Sequence, residues 1–210
     1  MKNLRSEIIK YSKMLNSKKL SALRSGNISA RFKEGFLITP SGKKYSSLKD
    51  TDIVFVSLNG VFDKKKGIPS SEWKFHQDIY TYKKEAKAIV HTHSINATAV
   101  ASHKKDIPPF HYMVAMAGGH DIKCAKYATY GTRKLSENIL KALRGRKACL
   151  IANHGQIVFE ENLPKAFELA EEVENISLQY ITSLKLGRPK ILSINEMKKV
   201  LSKAKNYKRG

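Results

Sequence analysis

The chain has 210 residues, 41% of them hydrophobic, which suits one domain across 1–210 with its own core and without disulfide or metal staples. No segment approaches the roughly 18 uninterrupted apolar residues of a membrane helix, and Met1 to Lys10 mixes charged with apolar residues, so a cytoplasmic location is expected. The two cysteines, Cys124 and Cys149, cannot form a disulfide framework or a Cys-x-x-Cys site. The formal net charge of +21, spread over many short Lys-rich stretches, points to anionic partners, either a phosphate-bearing metabolite or nucleic acid.

Leu4, Ile8, Tyr11 and Leu15 recur at helical spacing and predict an amphipathic helix over residues 3–17. Phe36–Thr39 and Ile53–Leu58 read as strands, and Asn59-Gly60 before Val61-Phe62 is a two-residue hairpin signal. Ser70 or Ser71 can cap a helix whose Phe75, Ile79 and Tyr82 share one face. Ala88–His93 then reads as a buried strand, followed by a helix through Ala97–Ser102. Thr132 can cap a helix carrying Leu135, Ile139 and Leu143. Ala148–Ala152 and Gln156–Phe159 look like strands parted by a turn at Asn153-His154-Gly155. Asn162 and Pro164 open the longest helix, with Phe167, Ala170, Val173, Tyr180 and Leu184 as its core stripe and Gly187-Arg188-Pro189 as its end. Ser193 to Glu196 has the capping-box pattern of a last helix. Irregular alternation of strands and helices, with a hairpin and no repeat, predicts a mixed α/β sandwich rather than a barrel.

His91-Thr92-His93 ends an apolar strand, and the two-residue period of a strand points both imidazoles to one face. His154 also follows a strand-like run, so three imidazoles can meet at one sheet edge. Three protein ligands with an open position are what a catalytic zinc site needs. A hydrogen-bonded or surface histidine pair fits the same spacing, and Glu72, at a helix start, reads equally as a carboxylate complementing the helix dipole.

Three short segments, Ser25-Gly26-Asn27-Ile28-Ser29, Thr39-Pro40-Ser41-Gly42 and Pro69-Ser70-Ser71, are rich in hydroxyls, amides and accessible backbone N–H groups. Each alone is an ordinary turn; together they can cradle one phosphate. Neither a Gly-x-x-x-x-Gly-Lys-Ser/Thr loop nor a Gly-x-Gly-x-x-Gly fingerprint is present, which turns the reading from nucleotides toward a small phosphorylated metabolite. No helix-turn-helix, zinc-finger or aromatic RNA-binding signature supports nucleic acid as the partner.

Several further segments occur in a telling order. They are Gly26-Asn27-Ile28-Ser29-Ala30-Arg31 with Ile38-Thr39-Pro40-Ser41-Gly42, then Pro69-Ser70-Ser71-Glu72-Trp73-Lys74-Phe75-His76, then His91-Thr92-His93 with Thr98-Ala99-Val100. Ile107-Pro108, His111-Tyr112-Met113, Ala117-Gly118-Gly119, Tyr127 to Arg133, Asn153-His154-Gly155 and Lys205-Asn206-Tyr207 follow. In this order the chain resembles the class II aldolase and adducin-head family over nearly its full length.

The resemblance implies a three-layer α-β-α sandwich around a mixed, mostly antiparallel sheet, assembled as a homotetramer with active sites between subunits. It implies a zinc ion (Zn2+) bound by His91, His93, His154 and Glu72, with Glu72 doubling as catalytic acid or base. Gly26, Asn27, Ser41, Gly42, Ser70 and Ser71 match the phosphate site, Ser41 standing where a relative has threonine. Tyr112 matches a catalytic tyrosine supplied by a neighbouring subunit, and Tyr207 a tail tyrosine of the same site. The implied reaction is reversible cleavage of a ketose 1-phosphate, of the L-fuculose 1-phosphate type, to dihydroxyacetone phosphate and a small aldehyde such as L-lactaldehyde. An aldolase for another deoxyketose phosphate, a pentulose-phosphate epimerase, a methylthioribulose-phosphate dehydratase and a non-catalytic adducin-like module share the scaffold.

Overall fold

The computed structural model describes residues 4–207, with side chains through Ala204. Helices α1 (Leu4–Ser17), α2 (Trp73–Tyr82), α3 (Ile95–Ser102), α4 (Arg133–Ala142), α5 (Leu163–Leu184) and α6 (Ile194–Tyr207) surround strands β1 (Asn27–Phe32), β2 (Gly35–Ile38), β3 (Val54–Ser57), β4 (Ala88–Thr92), β5 (Cys124–Ala125), β6 (Ala148–Ile151) and β7 (Gly155–Glu160). The strands form one sheet in the order β3-β2-β1-β4-β7-β6-β5. All neighbours are antiparallel except β5 and β6, so the expected mixed, mostly antiparallel sheet is the one that forms.

The central strands are buried on both faces, and their alternate residues feed two separate cores. Ala88 and Val90 of β4, Leu150 of β6 and Val158 of β7 pack with Ile8, Leu15, Ala97, Phe167, Val173 and Met197 under α1, α3, α5 and α6. Ile89, Cys149, Ile151, Ile157 and Phe159 pack with Phe75, Ile79, Leu135 and Ile139 under α2 and α4. Two apolar faces on one sheet require helices on both sides, which is the three-layer sandwich. Thr132 and Asn162 cap α4 and α5 through their side-chain oxygens, and Ser193 Oγ accepts the Glu196 N–H at 3.1 Å.

Three local expectations are corrected. The tight two-residue hairpin lies at Lys33-Glu34 between β1 and β2, where Phe32 pairs with Gly35. Asn59-Gly60 does turn, with the Ser57 N–H reaching the Val61 carbonyl at 3.0 Å, but no strand returns because Phe62 packs edge-on against Trp73 at 6.0 Å instead. On α2 the buried tyrosine is Tyr80, not Tyr82: Tyr82 is 70% exposed, whereas the Tyr80 hydroxyl finds Ser29 and its ring lies under the Arg31 guanidinium. Leu184, at the last turn of α5, is 42% exposed and lies beyond the stripe that ends at Tyr180. Strand β1 itself was hidden in a segment that reads as turns.

Gly155 opens β7 beside Thr92, whose register partner is Gln156. A Cβ there would overlap the Thr92 carbonyl oxygen and come within 3.1 Å of His93 Cδ2. Gly155→Ala is therefore expected to lower unfolding free energy by about 2 kcal/mol and to loosen the β4–β7 end; denaturant unfolding with unchanged stability would show that the strands tolerate the extra atom.

Candidate active site

The odd-numbered residues of β4 face α2, so His91 follows Ile89 onto that side, its ring edge-on to Phe75 at 5.3 Å. Glu72, the residue preceding α2, reaches the same point. Strand β7 lies beside β4, and the β6–β7 turn therefore delivers His154 to the end of β4, where His93 follows the strand. One ligand atom from each of Glu72, His91, His93 and His154 lies within 4.8 Å of all the others. His91 Nε2 is 3.0 Å from His93 Nε2 and 3.2 Å from Glu72 Oε2, and His154 Nε2 is 3.0 Å from Glu72 Oε1.

The tautomer of His91 is fixed by its other nitrogen. Nδ1 is 2.7 Å from the Gln156 carbonyl oxygen, which can only accept, so Nδ1 carries a proton and Nε2 is the atom left to face Glu72 or a metal ion. Burial, followed by the neighbouring His91 and His154, pushes the His93 imidazole down to about 3, so it is neutral at physiological pH. Burial opposes ionisation of Glu72, but His91 and His154 outweigh it and hold the carboxyl well below the ordinary range. Buried Glu72 Oε1 has no hydrogen-bond donor aligned on it. Three imidazole nitrogens and a carboxylate converging without a thiolate fit a divalent ion of the zinc type, which would satisfy all four donors at once.

Glu72 is held from behind by a chain of buried polar groups. Asn27 Nδ2 donates to Glu72 Oε2 at 2.9 Å, and Asn27 Oδ1 accepts from His76 Nε2 at 2.5 Å. His76 Nδ1 then accepts from Ser29 Oγ at 2.7 Å, and Ser29 Oγ is 2.8 Å from the Tyr80 hydroxyl. Only one polarity leaves every donor an acceptor when Glu72 is a carboxylate, and it fixes the Asn27 amide with its NH2 group toward Glu72. Asn27 thus supports Glu72 as well as lining the pocket, a role the sequence did not suggest. His76, Ser29 and Tyr80 were missed because buried polar residues on a helix and a strand give no periodic signal of their own.

The pocket, about 360 Å³, runs from His93, His154 and Glu72 to Gly26, Asn27, Ser41, Gly42, Ser70 and Ser71. All six residues assigned to phosphate are brought together beside the cluster of three histidines and Glu72. Gly26 has φ of 78°, and a Cβ there would lie 2.6 Å from the His91 carbonyl oxygen, so only glycine fits. Ser70 Oγ accepts the Glu72 N–H at 3.3 Å, tying the hydroxyl loop to the carboxylate. Arg24, Tyr127, Tyr130 and Asn153 also line the pocket. Tyr112 does not: it starts a 3-10 turn and is 53% exposed. Tyr207 closes α6, and its side chain lies outside the described residues.

Residues 6–181 match the family described as Class II Aldolase and Adducin N-terminal domain. The chain belongs to this family. An L-fuculose phosphate aldolase of Escherichia coli is 47% identical over 184 residues, spanning 87% of this chain and 85% of the relative. A 5-methylthioribulose-1-phosphate/5-deoxyribulose-1-phosphate aldolase of Rhodospirillum rubrum is 44% identical over 204 residues, 97% of this chain and 92% of that protein. A solved L-fuculose 1-phosphate aldolase superposes with a TM-score of 0.93 at 38% identity, covering 98% of this chain and 97% of the other. The chain is accordingly an enzyme, a lyase of the class II aldolase type. Among the described residues no helix is long and apolar enough to cross a membrane, and both cysteines are free.

His76 supplies a pH signature. Burial, then His91, depresses it from 6.5 to about 3. The unfolded chain takes that proton near pH 6.5 while the folded chain does not, so stability present above pH 6.5 is lost as pH falls toward 3. Metal-free His76→Gln protein should lose stability less steeply over pH 6 to 4, by about 1.4 kcal/mol per pH unit for one proton. Parallel urea-unfolding profiles for the two proteins would show that His76 charges in the fold.

Proposed function

We propose that the enzyme is a zinc-dependent aldolase that reversibly cleaves a ketose 1-phosphate to dihydroxyacetone phosphate and a small aldehyde. The observation that carries this reading is the continuity of one pocket, with Glu72, His93 and His154 at one end, the buried His91 clustered with them, and hydroxyl, amide and glycine groups at the other. A ketose 1-phosphate has the matching polarity: a dianion at one end and adjacent carbonyl and hydroxyl oxygens a few bonds away. The enzyme acts in the cytoplasm as one domain across 1–210, in a homotetramer.

His91, His93, His154 and Glu72 would hold the ion. Bound there, zinc supplies a Lewis acid for the enediolate charge that develops when the carbon–carbon bond breaks. Ser41, Ser70, Ser71 and the backbone at Gly26 and Gly42 bind the phosphate, which fixes the distance from phosphorus to the reacting carbons. Tyr112 of a neighbouring subunit helps remove the proton of the hydroxyl that becomes the aldehyde oxygen, accepting it as its own phenolic proton passes to solvent, with Tyr207 beside it. The bond electrons pass to the dihydroxyacetone phosphate fragment, and Glu72, which takes up a proton from solvent when substrate displaces it from the imidazoles, delivers that proton to the fragment's carbon; synthesis reverses both transfers. Exposure of Tyr112 outside its own pocket supports a role at another subunit's site.

L-fuculose 1-phosphate, giving L-lactaldehyde, is our primary substrate reading, supported by relatives acting on L-fuculose phosphate. 5-Deoxyribulose 1-phosphate or its 5-methylthio analogue is the second, supported by the relative that spans 97% of this chain. The three share a phosphate-bearing head and differ only in the aldehyde, so one site serves either reading.

Glu72→Gln should retain phosphate-ligand binding and lower cleavage roughly 100- to 10,000-fold, the usual scale of general acid–base catalysis. Dihydroxyacetone phosphate release from the three ketose phosphates measures both points: the order of kcat/KM names the aldehyde, and full activity of Glu72→Gln would contradict its assigned role. Tyr112→Phe should lower kcat with little change in KM, and a wild-type kcat would remove Tyr112 from the reaction.

A further inference from the structure

Resting on the reading of this pocket as a phosphate site, we infer that Arg24 is a specificity-determining residue that supplies its fixed positive charge and selects a phosphate dianion. Among the described residues lining the pocket, Arg24 is the one lysine or arginine; the other phosphate-end donors are neutral hydroxyls, an amide and backbone groups. A dianion gives up strong hydration to enter a cradle of neutral donors, and it must also approach the Glu72 carboxylate in the same pocket. The guanidinium offsets both costs.

Neighbouring cations are turned elsewhere despite the high net charge of the chain. Lys43, adjacent to Gly42, is 2.5 Å from Asp52 Oδ1. Lys74, two residues after Glu72, lines a different groove with Asp78 and Glu137. General surface charge therefore draws anions toward the molecule, while local recognition falls to one side chain.

The placement of Arg24 is built into the loop. Its Nη1 donates to the Gly42 carbonyl at 2.7 Å, which spans the two phosphate-binding segments and leaves the other N–H groups of the guanidinium fork available. The turn beneath it is closed by Ser25 N–H and Oγ to the Ala22 carbonyl, at 3.0 and 2.7 Å. The buried Tyr45 hydroxyl pins the far side by donating to the Gly26 carbonyl at 2.5 Å. Leu23 inside this turn has φ of 53° and is 79% exposed, a conformation and an environment that a leucine avoids. The loop holds that cost in the position immediately before the arginine, as expected of a segment shaped for a ligand rather than for packing.

The test compares zinc-loaded wild type with Arg24→Gln and Arg24→Lys. Arg24 is exposed, so the variants should fold with near-normal melting temperatures. Calorimetric titration with inorganic phosphate should show affinity lowered roughly 10- to 100-fold in Arg24→Gln, the range of a charge-assisted hydrogen bond. KM for the ketose 1-phosphate should rise by a similar factor, with kcat changing no more than about threefold. Arg24→Lys should recover only part of the affinity, because a point charge cannot span Gly42 and phosphate together. Equal phosphate affinity in wild type and Arg24→Gln overturns this inference while leaving the phosphate pocket intact. Failure of wild type itself to bind phosphate or to cleave any ketose 1-phosphate overturns the functional reading beneath it, and Arg24 with it.

Discussion

The site depends on four electron-rich atoms held closer together than they would sit without a cation. Antiparallel pairing of β4 with β7 and β7 with β6 fixes His91, His93 and His154 at one end of the sheet, and the start of α2 brings Glu72 against them. Lone pairs 3.0 to 3.2 Å apart in a buried setting repel unless a proton or metal lies between them. The sheet supplies the opposing stabilisation: both faces of β4 and β7 are buried in apolar cores, so the strands cannot part to relieve the strain. Small details follow from this constraint. Gly155 and Gly26 lack side chains where β4's end meets its neighbours, and the Gln156 carbonyl sets the tautomer of His91.

The second element of the design is the orientation of Glu72. A carboxylate proposed to serve a metal and a substrate carbon in turn must have alternatives of nearly equal energy, yet must not wander. The chain from Tyr80 through Ser29, His76 and Asn27 meets that need by offering one amide N–H to Oε2. Each member is buried, so each depends on its neighbour for satisfaction. The pocket in front is lined by side chains on turns, where a substrate can enter, whereas the support behind lies on α2 and β1.

Much of this was legible in the sequence because it rests on local rules. Alternation placed His91 and His93 on one face, the apolar run before Asn153-His154-Gly155 placed a third histidine at a strand end, and caps at Thr132 and Asn162 marked two helices. The sandwich followed from the pattern of elements and from family resemblance together. What was hidden depended on long-range pairing. Strand β1 reads as turns until β2 and β4 pair with it, Tyr80 outcompetes Tyr82 only because Ser29 and Arg31 await it, and Phe62 leaves a strong hairpin signal for Trp73. Arg24 was one of 39 basic residues, and nothing in its neighbours distinguished it until Gly42 arrived from another loop.

The most direct test of the account is a zinc titration of chelator-stripped protein, with heat of binding and dihydroxyacetone phosphate release read on the same samples. One tight equivalent per chain, with cleavage rising in proportion and both signals lost in a His91→Ala/His154→Ala variant, is the predicted result. Full cleavage by stripped protein, or tight binding that survives loss of both histidines, would contradict the assignment of this cluster as the catalytic metal centre.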